Sequence, residues 1–206
     1  MLRPAKSLIL LAASALFMKI LLLDNHDSFT FNLVELLRNN GKVSFNVIKS
    51  DELRLQDVEN YDKILFSPGP GLPEEQPAMF EILRKYAGKK PILGICLGHQ
   101  AIALFYGGDL FNLPKVVHGQ PRRLNIIRPD HFLFKNIPRL SPVGLYHSWA
   151  VAEASLPSCF EIIARSEDGT IMGLSHKVFD VCGLQFHPES IITEYGQRML
   201  GNWVTG

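Results

Sequence analysis

The sequence is poor in cysteine and has no excess charge of either sign. Its 206 residues include three cysteines, and 21 Lys and Arg residues stand against 20 Asp and Glu residues. Three widely spaced cysteines favour neither a disulfide framework nor a zinc cluster, and they fit a reducing compartment. A net charge of +1 indicates neither a nucleic-acid-binding surface nor an acidic tail. These absences predict a cytoplasmic protein with no nucleic acid partner.

The apolar content of the chain is high enough for it to fold without disulfide bonds or a bound metal ion. Hydrophobic residues make up 47% of the chain and charged residues 20%, which is typical of a globular protein and excludes a disordered one. A chain of this length buries roughly 70% of its unfolded surface, so no disulfide or metal is needed for stability. The size allows one domain with at most a small addition.

The first 17 residues have two interpretations. A basic start followed by an apolar run over residues 8–17, which contains small residues, resembles a secretory signal. The run has about ten residues, which is too short to span a bilayer. Alternatively, residues 1–17 are an inert extension, since Met18 begins a clean buried strand. We favour the second interpretation and predict one domain over residues 18–206 with no membrane segment.

The order of apolar segments predicts an α/β fold. In the first half, buried runs alternate with helical patterns, which indicates a mostly parallel sheet with helices on its faces. In the second half, short alternating runs predict a smaller antiparallel sheet. Ser28 is expected to cap the first helix, and Phe31 to lie on its buried face. The expected strands are 20–23, 43–49, 63–66, 92–95, 122–127, 144–149, 161–164, 171–174 and 181–186, and the expected helices are 29–38, 77–86, 97–106 and 193–203.

A candidate nucleophile lies in the segment Gly94-Ile95-Cys96-Leu97-Gly98, where a predicted buried strand meets a helix. In a nucleophile elbow a strained turn exposes the central side chain, and small neighbours are needed where the backbone is crowded. A helix N-terminus beside the sulfur favours the thiolate, which is the nucleophilic form of cysteine. The alternative is a buried core cysteine between two packing glycines.

A thiolate needs a proton carrier, and His187 is the best placed of the seven histidines. It ends a predicted strand and precedes Pro188, which keeps its backbone extended. Residues two apart in an extended chain face the same side, so Glu189 can orient the imidazole and stabilise its charged form. The alternative is a surface turn in which both side chains are solvated.

A glycine-rich loop, Ser67-Pro68-Gly69-Pro70-Gly71, follows another predicted strand. Its glycines allow the backbone to approach a ligand closely. No Gly-Lys-Ser/Thr sequence follows, so a Walker phosphate-binding site is excluded. A backbone N–H of this loop, together with the N–H of Leu97, could form an oxyanion hole. The alternative is a loop that two prolines make rigid.

Five segments occur in an order that resembles a known family. They are Asp24 to Thr30, Ser67 to Gly71, Gly94 to Gln100, Tyr146 to Trp149 and Gln185 to Ser190. From Met18 to the C-terminus, the chain closely resembles the class I glutamine amidotransferases and, within them, the separate glutaminase subunits of chorismate-utilising synthases. The resemblance implies the flavodoxin-like α/β fold of that class.

The resemblance also implies a set of functional residues. Cys96, His187 and Glu189 match the catalytic triad, and L-glutamine is the implied substrate. The backbone N–H groups near Gly71 and Leu97 are expected to hold the oxyanion, with no metal or organic cofactor in this chain. The positions that match the glutamine-holding segments are Gly69, Pro70, Gly71, Gln100, Ser148 and Trp149.

The released ammonia needs an acceptor, and the length of this chain leaves no room for a second active site. We therefore expect the partner to be a separate chorismate-binding synthase subunit. Anthranilate synthase, in tryptophan biosynthesis, is the first choice; aminodeoxychorismate synthase, in folate biosynthesis, or service to both enzymes are the alternatives. Two remoter alternatives are a secreted γ-glutamyl hydrolase, which requires residues 1–17 to be a signal, and a non-catalytic regulatory module.

Overall fold

Residues 18–41 and 43–206 are described by a computed structural model, apart from the side chains of residues 115–118. The predicted N-terminal extension, residues 1–17, lies outside the described residues. The strands are β1 (Met18–Asp24), β2 (Val43–Lys49), β3 (Lys63–Phe66), β4 (Ile92–Ile95), β5 (Leu110–Ile126), β6 (Leu140–Val151), β7 (Phe160–Ser166), β8 (Ile171–His176) and β9 (Val181–Leu184). The α-helices are α1 (Thr30–Arg38), α2 (Pro77–Tyr86), α3 (Leu97–Phe105) and α4 (Gly196–Thr205).

The strands form one mixed sheet with the order β2-β1-β3-β4-β9-β8-β7-β5-β6. Neighbours from β2 to β9 are parallel, and those from β9 to β6 are antiparallel. The predicted α/β class, with a parallel region flanked by helices, is confirmed. The antiparallel strands continue the parallel sheet through the β9–β8 pair instead of forming a second sheet.

Alternate residues of the parallel strands enter two cores on opposite faces of the sheet. Ile20 and Leu22 of β1 belong to a cluster with Leu33 of α1, whereas Leu21 and Leu23 belong to a cluster that includes α2 and α3. All four residues of β3 and all four of β4 are buried. Strands covered on both faces have unbroken apolar sequences. For that reason the predicted bounds of both strands agree with the structure.

The start of α1 differs from the prediction. The helix begins at Thr30, and no side chain caps it, so the assignment of Ser28 as its N-cap is wrong. Instead, Oδ1 of Asp27 accepts a hydrogen bond of 2.7 Å from the N–H of Phe29, just before the helix. The prediction that Phe31 packs in the core is also wrong, because this residue is 67% exposed.

The strand β5 is longer than the sequence predicts. It begins at Leu110, although the sequence predicts a strand from residue 122. Pro114 and Gly119 are turn-forming residues and make the earlier segment resemble a loop. Both lie where the β5–β6 pairing changes register, and Gly119 has a φ of 62°. Irregular pairing of this kind tolerates proline and glycine inside a strand.

The closing helix α4 begins at Gly196, later than the predicted residue 193. Thr193 lies in the turn before it, where its hydroxyl donates to the carbonyl oxygen of His187 at 2.6 Å. The buried face of α4, which includes Leu200 and Trp203, joins the core beneath β1. Across the described ranges, the helices are all too short or too polar to cross a membrane.

Candidate active site

Cys96 lies between β4 and α3, at the carboxyl edge of the parallel strands. Its φ of 50° and ψ of −100° cost a non-glycine residue roughly 1–3 kcal/mol. A Cβ atom at Gly94 would lie 2.4 Å from the carbonyl carbon of Gly98, and one at Gly98 would lie 2.6 Å from Cβ of Phe66. The turn is therefore strained and closely packed by glycines, which is the local conformation that the sequence predicts.

Backbone hydrogen bonds hold Cys96 in this conformation. Its N–H donates to the carbonyl oxygen of Leu184 at 2.8 Å, and its own carbonyl accepts from the N–H of Gln100 at 3.1 Å. Only 6% of Cys96 is exposed, and the residue lines a cavity beside the first turn of α3. The partial positive charge at a helix N-terminus favours an anion at such a position.

His187 and Glu189 form a buried pair. The Nδ1 atom of His187 lies 2.6 Å from Oε1 of Glu189, and the side chains are 3% and 0% exposed. The backbone of His187 is fixed as well, because its N–H donates to the carbonyl oxygen of Gly144 at 3.1 Å. The two side chains share one side, as predicted, but not through extended chain: Pro188 and Glu189 lie in a turn in which the N–H of Ser190 donates to the carbonyl oxygen of His187 at 3.2 Å.

The charge state of His187 is set by its neighbours. Burial lowers the pKa of the imidazole, but its interactions with Cys96 and Glu189 outweigh burial, and the pKa lies well above its ordinary value. Among the described residues, no group lies in full hydrogen-bond geometry with the Nε2 atom, so this ring nitrogen is left for the sulfur and the substrate. The ring centroids of Phe29 and Tyr146 lie 5.4 Å and 4.9 Å from the centroid of the His187 ring, and the two rings shield the imidazole from water.

A cavity of about 320 Å³ opens at Cys96. Its wall contains both residues predicted to supply oxyanion N–H groups and all residues predicted to hold substrate: Gly69, Pro70, Gly71, Leu97, Gln100, Ser148 and Trp149. The sequence patterns assigned no binding role to three further lining residues, Leu72, Tyr146 and His147. The structure therefore brings together segments from β3, α3 and β6 around one sulfur atom.

The Ser67 to Gly71 loop packs directly on the elbow. A Cβ atom at Gly69 would lie 2.5 Å from Cδ2 of Leu97 and 2.8 Å from Cβ of Asn25. Gly71 has a φ of 73°, in the region that favours glycine. The glycines therefore allow the loop backbone to approach the turn that contains Cys96.

Asn25 ties this loop to the end of β1. Its backbone N–H donates to Oγ of Ser67 and its Nδ2 donates to the carbonyl oxygen of Ser67, both at 2.9 Å. Both residues are fully buried. Asn25 was assigned no role from the sequence. Its position directly after a parallel strand could have indicated a role, because the carboxyl ends of β1 and β3 meet at one edge of the sheet, beside the glycine-rich loop.

A chain of side-chain amides runs behind the cavity. Nε2 of Gln100 donates to the carbonyl oxygen of Trp149 at 2.8 Å and to Oε1 of Gln185 at 3.1 Å. Nε2 of Gln185 in turn donates to Sγ of Cys96 at 3.6 Å. Gln185 was assigned no role from the sequence. Its place beside a strand, two residues before His187, was the signal available in the sequence.

Two other histidines lie close to the site without belonging to the pair. Burial lowers the pKa of His99, in α3, to about 3, so its ring is neutral. Burial also lowers the pKa of His147, whose Nδ1 lies 2.8 Å from the carbonyl oxygen of Trp149. Within the part of the chain that the structure describes, no three His, Cys, Asp or Glu side chains are grouped to hold a metal ion.

The fold and the surroundings of Cys96 are typical of α/β enzymes that cleave amides with a cysteine nucleophile. The sequence profile of the class I glutamine amidotransferases matches residues 21–206. The chain belongs to the class I glutamine amidotransferase family, as its motifs predict.

Individual relatives agree with this membership. A protein of Haemophilus influenzae, provisionally named anthranilate synthase component II, is 45% identical over 187 residues, which are 91% of this chain and 96% of that protein. Aminodeoxychorismate synthase component 2 of Klebsiella aerogenes is 44% identical over 187 residues, 90% and 98% of the two chains. A crystal structure from Thermoplasma acidophilum, provisionally assigned to GMP synthase, has a TM-score of 0.82 at 24% identity and covers 92% of this chain and 93% of its own. That structure shares the fold.

Proposed function

We propose that this chain is a glutaminase subunit that hydrolyses L-glutamine to glutamate and delivers ammonia to a separate chorismate-utilising synthase subunit. The observation that carries the proposal is the buried His187–Glu189 pair acting on Cys96 at the cavity wall, in a chain of this family. The names of its relatives, both components of chorismate-utilising synthases, support the choice of partner.

In the first step, the Cys96 thiolate attacks the side-chain carbonyl carbon of glutamine. The carbonyl electron pair moves to oxygen, and the backbone N–H groups of Gly71 and Leu97 stabilise the resulting oxyanion. Each such donor is worth about 2.7–4 kcal/mol in the transition state. The packing of Gly69 against Leu97 supports this role, because it brings the glycine loop to the elbow.

In the second step, the carbon–nitrogen bond breaks and His187 gives its proton to the departing ammonia. A raised pKa keeps the imidazole protonated until that transfer. The neutral ring then accepts a proton from water, whose oxygen attacks the thioester. The carbon–sulfur bond breaks, glutamate leaves, and the thiolate–imidazolium pair is restored. Glu189 holds the ring and stabilises its charged form.

We propose that the substrate lies in the cavity against Gly69, Pro70, Gly71, Gln100, Ser148 and Trp149. The carbonyl of Trp149 and the amide of Gln100 hydrogen-bond each other, so this wall is ordered before substrate arrives. We also propose that no metal or organic cofactor takes part, that neither nucleic acid nor a membrane is a partner, and that the protein acts in the cytoplasm.

Anthranilate synthase remains our first choice of partner enzyme, with aminodeoxychorismate synthase, or service to both, as the alternative. The Haemophilus relative is named for anthranilate synthase and the Klebsiella relative for aminodeoxychorismate synthase, and they are almost equally identical to this chain, 45% and 44%. The choice is therefore tested by reconstitution. The purified chain is mixed with each synthase subunit from the same organism, and glutamine-dependent formation of anthranilate and of aminodeoxychorismate is measured. Formation of anthranilate alone would support the first choice. If neither synthase subunit formed its product from glutamine, the proposal would be contradicted.

A further inference from the structure

The side-chain amide of Gln185 donates a hydrogen bond to the Cys96 sulfur. It stands directly after β9 and is fully buried. A buried amide needs partners for both its ends, because an unpaired polar group in the core is costly. Its oxygen is paired with Gln100 and its nitrogen with the Cys96 sulfur, so both ends of the buried amide have a partner.

The direction of this hydrogen-bond chain is fixed at its far end. The carbonyl oxygen of Trp149 can only accept, so the NH2 group of Gln100 must face it. The second hydrogen of that NH2 group points to Gln185, whose oxygen must therefore face Gln100. The NH2 group of Gln185 is left facing the sulfur at 3.6 Å. Only one orientation of each amide satisfies all three contacts.

We propose that Gln185 is a positioning residue that holds the Cys96 sulfur in its thiolate form through this permanent N–H donor. The inference rests on the proposed function, in which that thiolate is the nucleophile. A hydrogen bond donated to the charged form of a group favours that form. The donor differs from His187, whose proton leaves the ring during each turnover, because a neutral amide keeps its hydrogens at every working pH.

Other titratable groups face the sulfur from the surrounding elements. His187, with Glu189 behind it, approaches from the segment after β9, and His147 and Tyr146 line the same cavity from β6. His99 is buried behind the elbow in α3. Replacing Gln185 removes none of these titratable groups, and its amide oxygen contacts Gln100 and not the sulfur. A shift in thiolate formation on that change therefore reports the amide donor.

The test is the pH profile of Cys96 alkylation by iodoacetamide in the full chain, followed by mass spectrometry of the peptide that contains Cys96. Gln185→Met keeps the length of the side chain and removes the donor. We expect the profile midpoint to rise by about one pH unit, with alkylation about tenfold slower below both midpoints. Gln197→Met is the matched control, because it removes an amide donor to the carbonyl oxygen of Leu36, far from the site. It should leave the midpoint unchanged.

A folded Gln185→Met chain with an unchanged midpoint would overturn the proposal. If that variant does not fold, the wild-type chain still tests it by NMR. The side-chain amide signal of Gln185 should move with pH at the same midpoint as Cys96 alkylation, and Cys96→Ala should abolish that movement. A Gln185 signal that does not respond to pH would also overturn the proposal.

Failure of the proposed function has a separate signature. If Cys96→Ala retains glutamine hydrolysis, the cysteine mechanism is wrong, whatever the alkylation profiles show. If Cys96→Ala is inactive but Gln185→Met alkylates like the wild type, the mechanism stands and only the role of Gln185 is refuted. If both proposals are correct, kcat/KM for glutamine in Gln185→Met should fall about tenfold at pH values below both alkylation midpoints and approach the wild-type value above them, as the thiolate fraction rises.

Discussion

The Nδ1 atom of His187 lies 2.6 Å from Oε1 of Glu189, and both side chains are almost wholly buried. The second carboxylate oxygen, Oε2, has no hydrogen-bond partner among the described residues. The carboxylate is thus directed at the imidazole alone. Such a pair stabilises a charged ring and fixes its orientation, which are the two properties required of the proton carrier.

This pair predicts a ranking of two substitutions. His187→Ala removes the proton carrier and should lower kcat for glutamine by about 10⁴-fold or more. Glu189→Gln keeps an acceptor for Nδ1 but loses the charge, and kcat should fall by only about 10²–10³-fold. Steady-state kinetics of both variants with the synthase subunit provide the comparison. A Glu189→Gln enzyme slower than His187→Ala would reverse the assigned roles.

The elbow predicts a loss of stability and activity on adding one methyl group. In Gly98→Ala the new Cβ atom would lie 2.6 Å from Cβ of Phe66, and the free energy of unfolding should fall by about 3 kcal/mol. Glutaminase activity should fall with it. Gly107→Ala is the control, because nothing lies within 4 Å and only its φ of 94° opposes a side chain, at about 1–2 kcal/mol. Denaturant unfolding and kinetics on both variants test the difference, and equal losses of activity would contradict it.

The link between Asn25 and Ser67 predicts that the glycine loop depends on a residue outside it. Asn25→Ala leaves the buried carbonyl oxygen of Ser67 without its side-chain donor and should cost about 1–3 kcal/mol. A loosened loop should also lower kcat for glutamine. Asn46→Ala, which removes one acceptor from the Tyr61 hydroxyl at the far strand β2, should leave kcat unchanged. Equal kinetics in the two variants would show that Asn25 does not support the loop.

Residues 1–17 are predicted to be dispensable. A chain that starts at Met18 contains β1 and every other described residue. We expect it to keep its melting temperature and its glutaminase activity with the synthase subunit, which circular dichroism and kinetics measure. A mature protein cleaved after Ala15 and found outside the cytoplasm would instead support the secretory interpretation.

The parts of the fold that could be predicted are those dominated by local sequence. The strands β3 and β4 are apolar throughout because both faces are covered, and α2 begins at Pro77, a residue favoured in a first helical turn. Their bounds were found from sequence. The start of β5 was missed because Pro114 and Gly119 lie where its pairing changes register, which depends on contacts with β6.

The parts of the site that could be predicted are those whose contacts lie close together in the sequence. The position of Cys96 follows from its place between a buried strand and a helix. Glu189 contacts His187 as expected, although a turn and not extended chain brings the two side chains together. The contacts of Asn25 with Ser67 and of Gln185 with Cys96 join segments far apart in the chain. The position of each residue after a strand marked it as a candidate, but which side chain it would contact depends on how the strands assemble.

The most direct test of the cysteine mechanism is the comparison of glutamine- and ammonia-dependent product formation by the complex that contains Cys96→Ala. Only amide cleavage uses the thiolate, so glutamine-dependent synthesis should fall at least about a thousandfold. Synthesis from added ammonium salts, which bypasses this chain, should be retained. If ammonia-dependent synthesis fell as far as glutamine-dependent synthesis, Cys96 would be needed for the structure of the complex and not as the nucleophile.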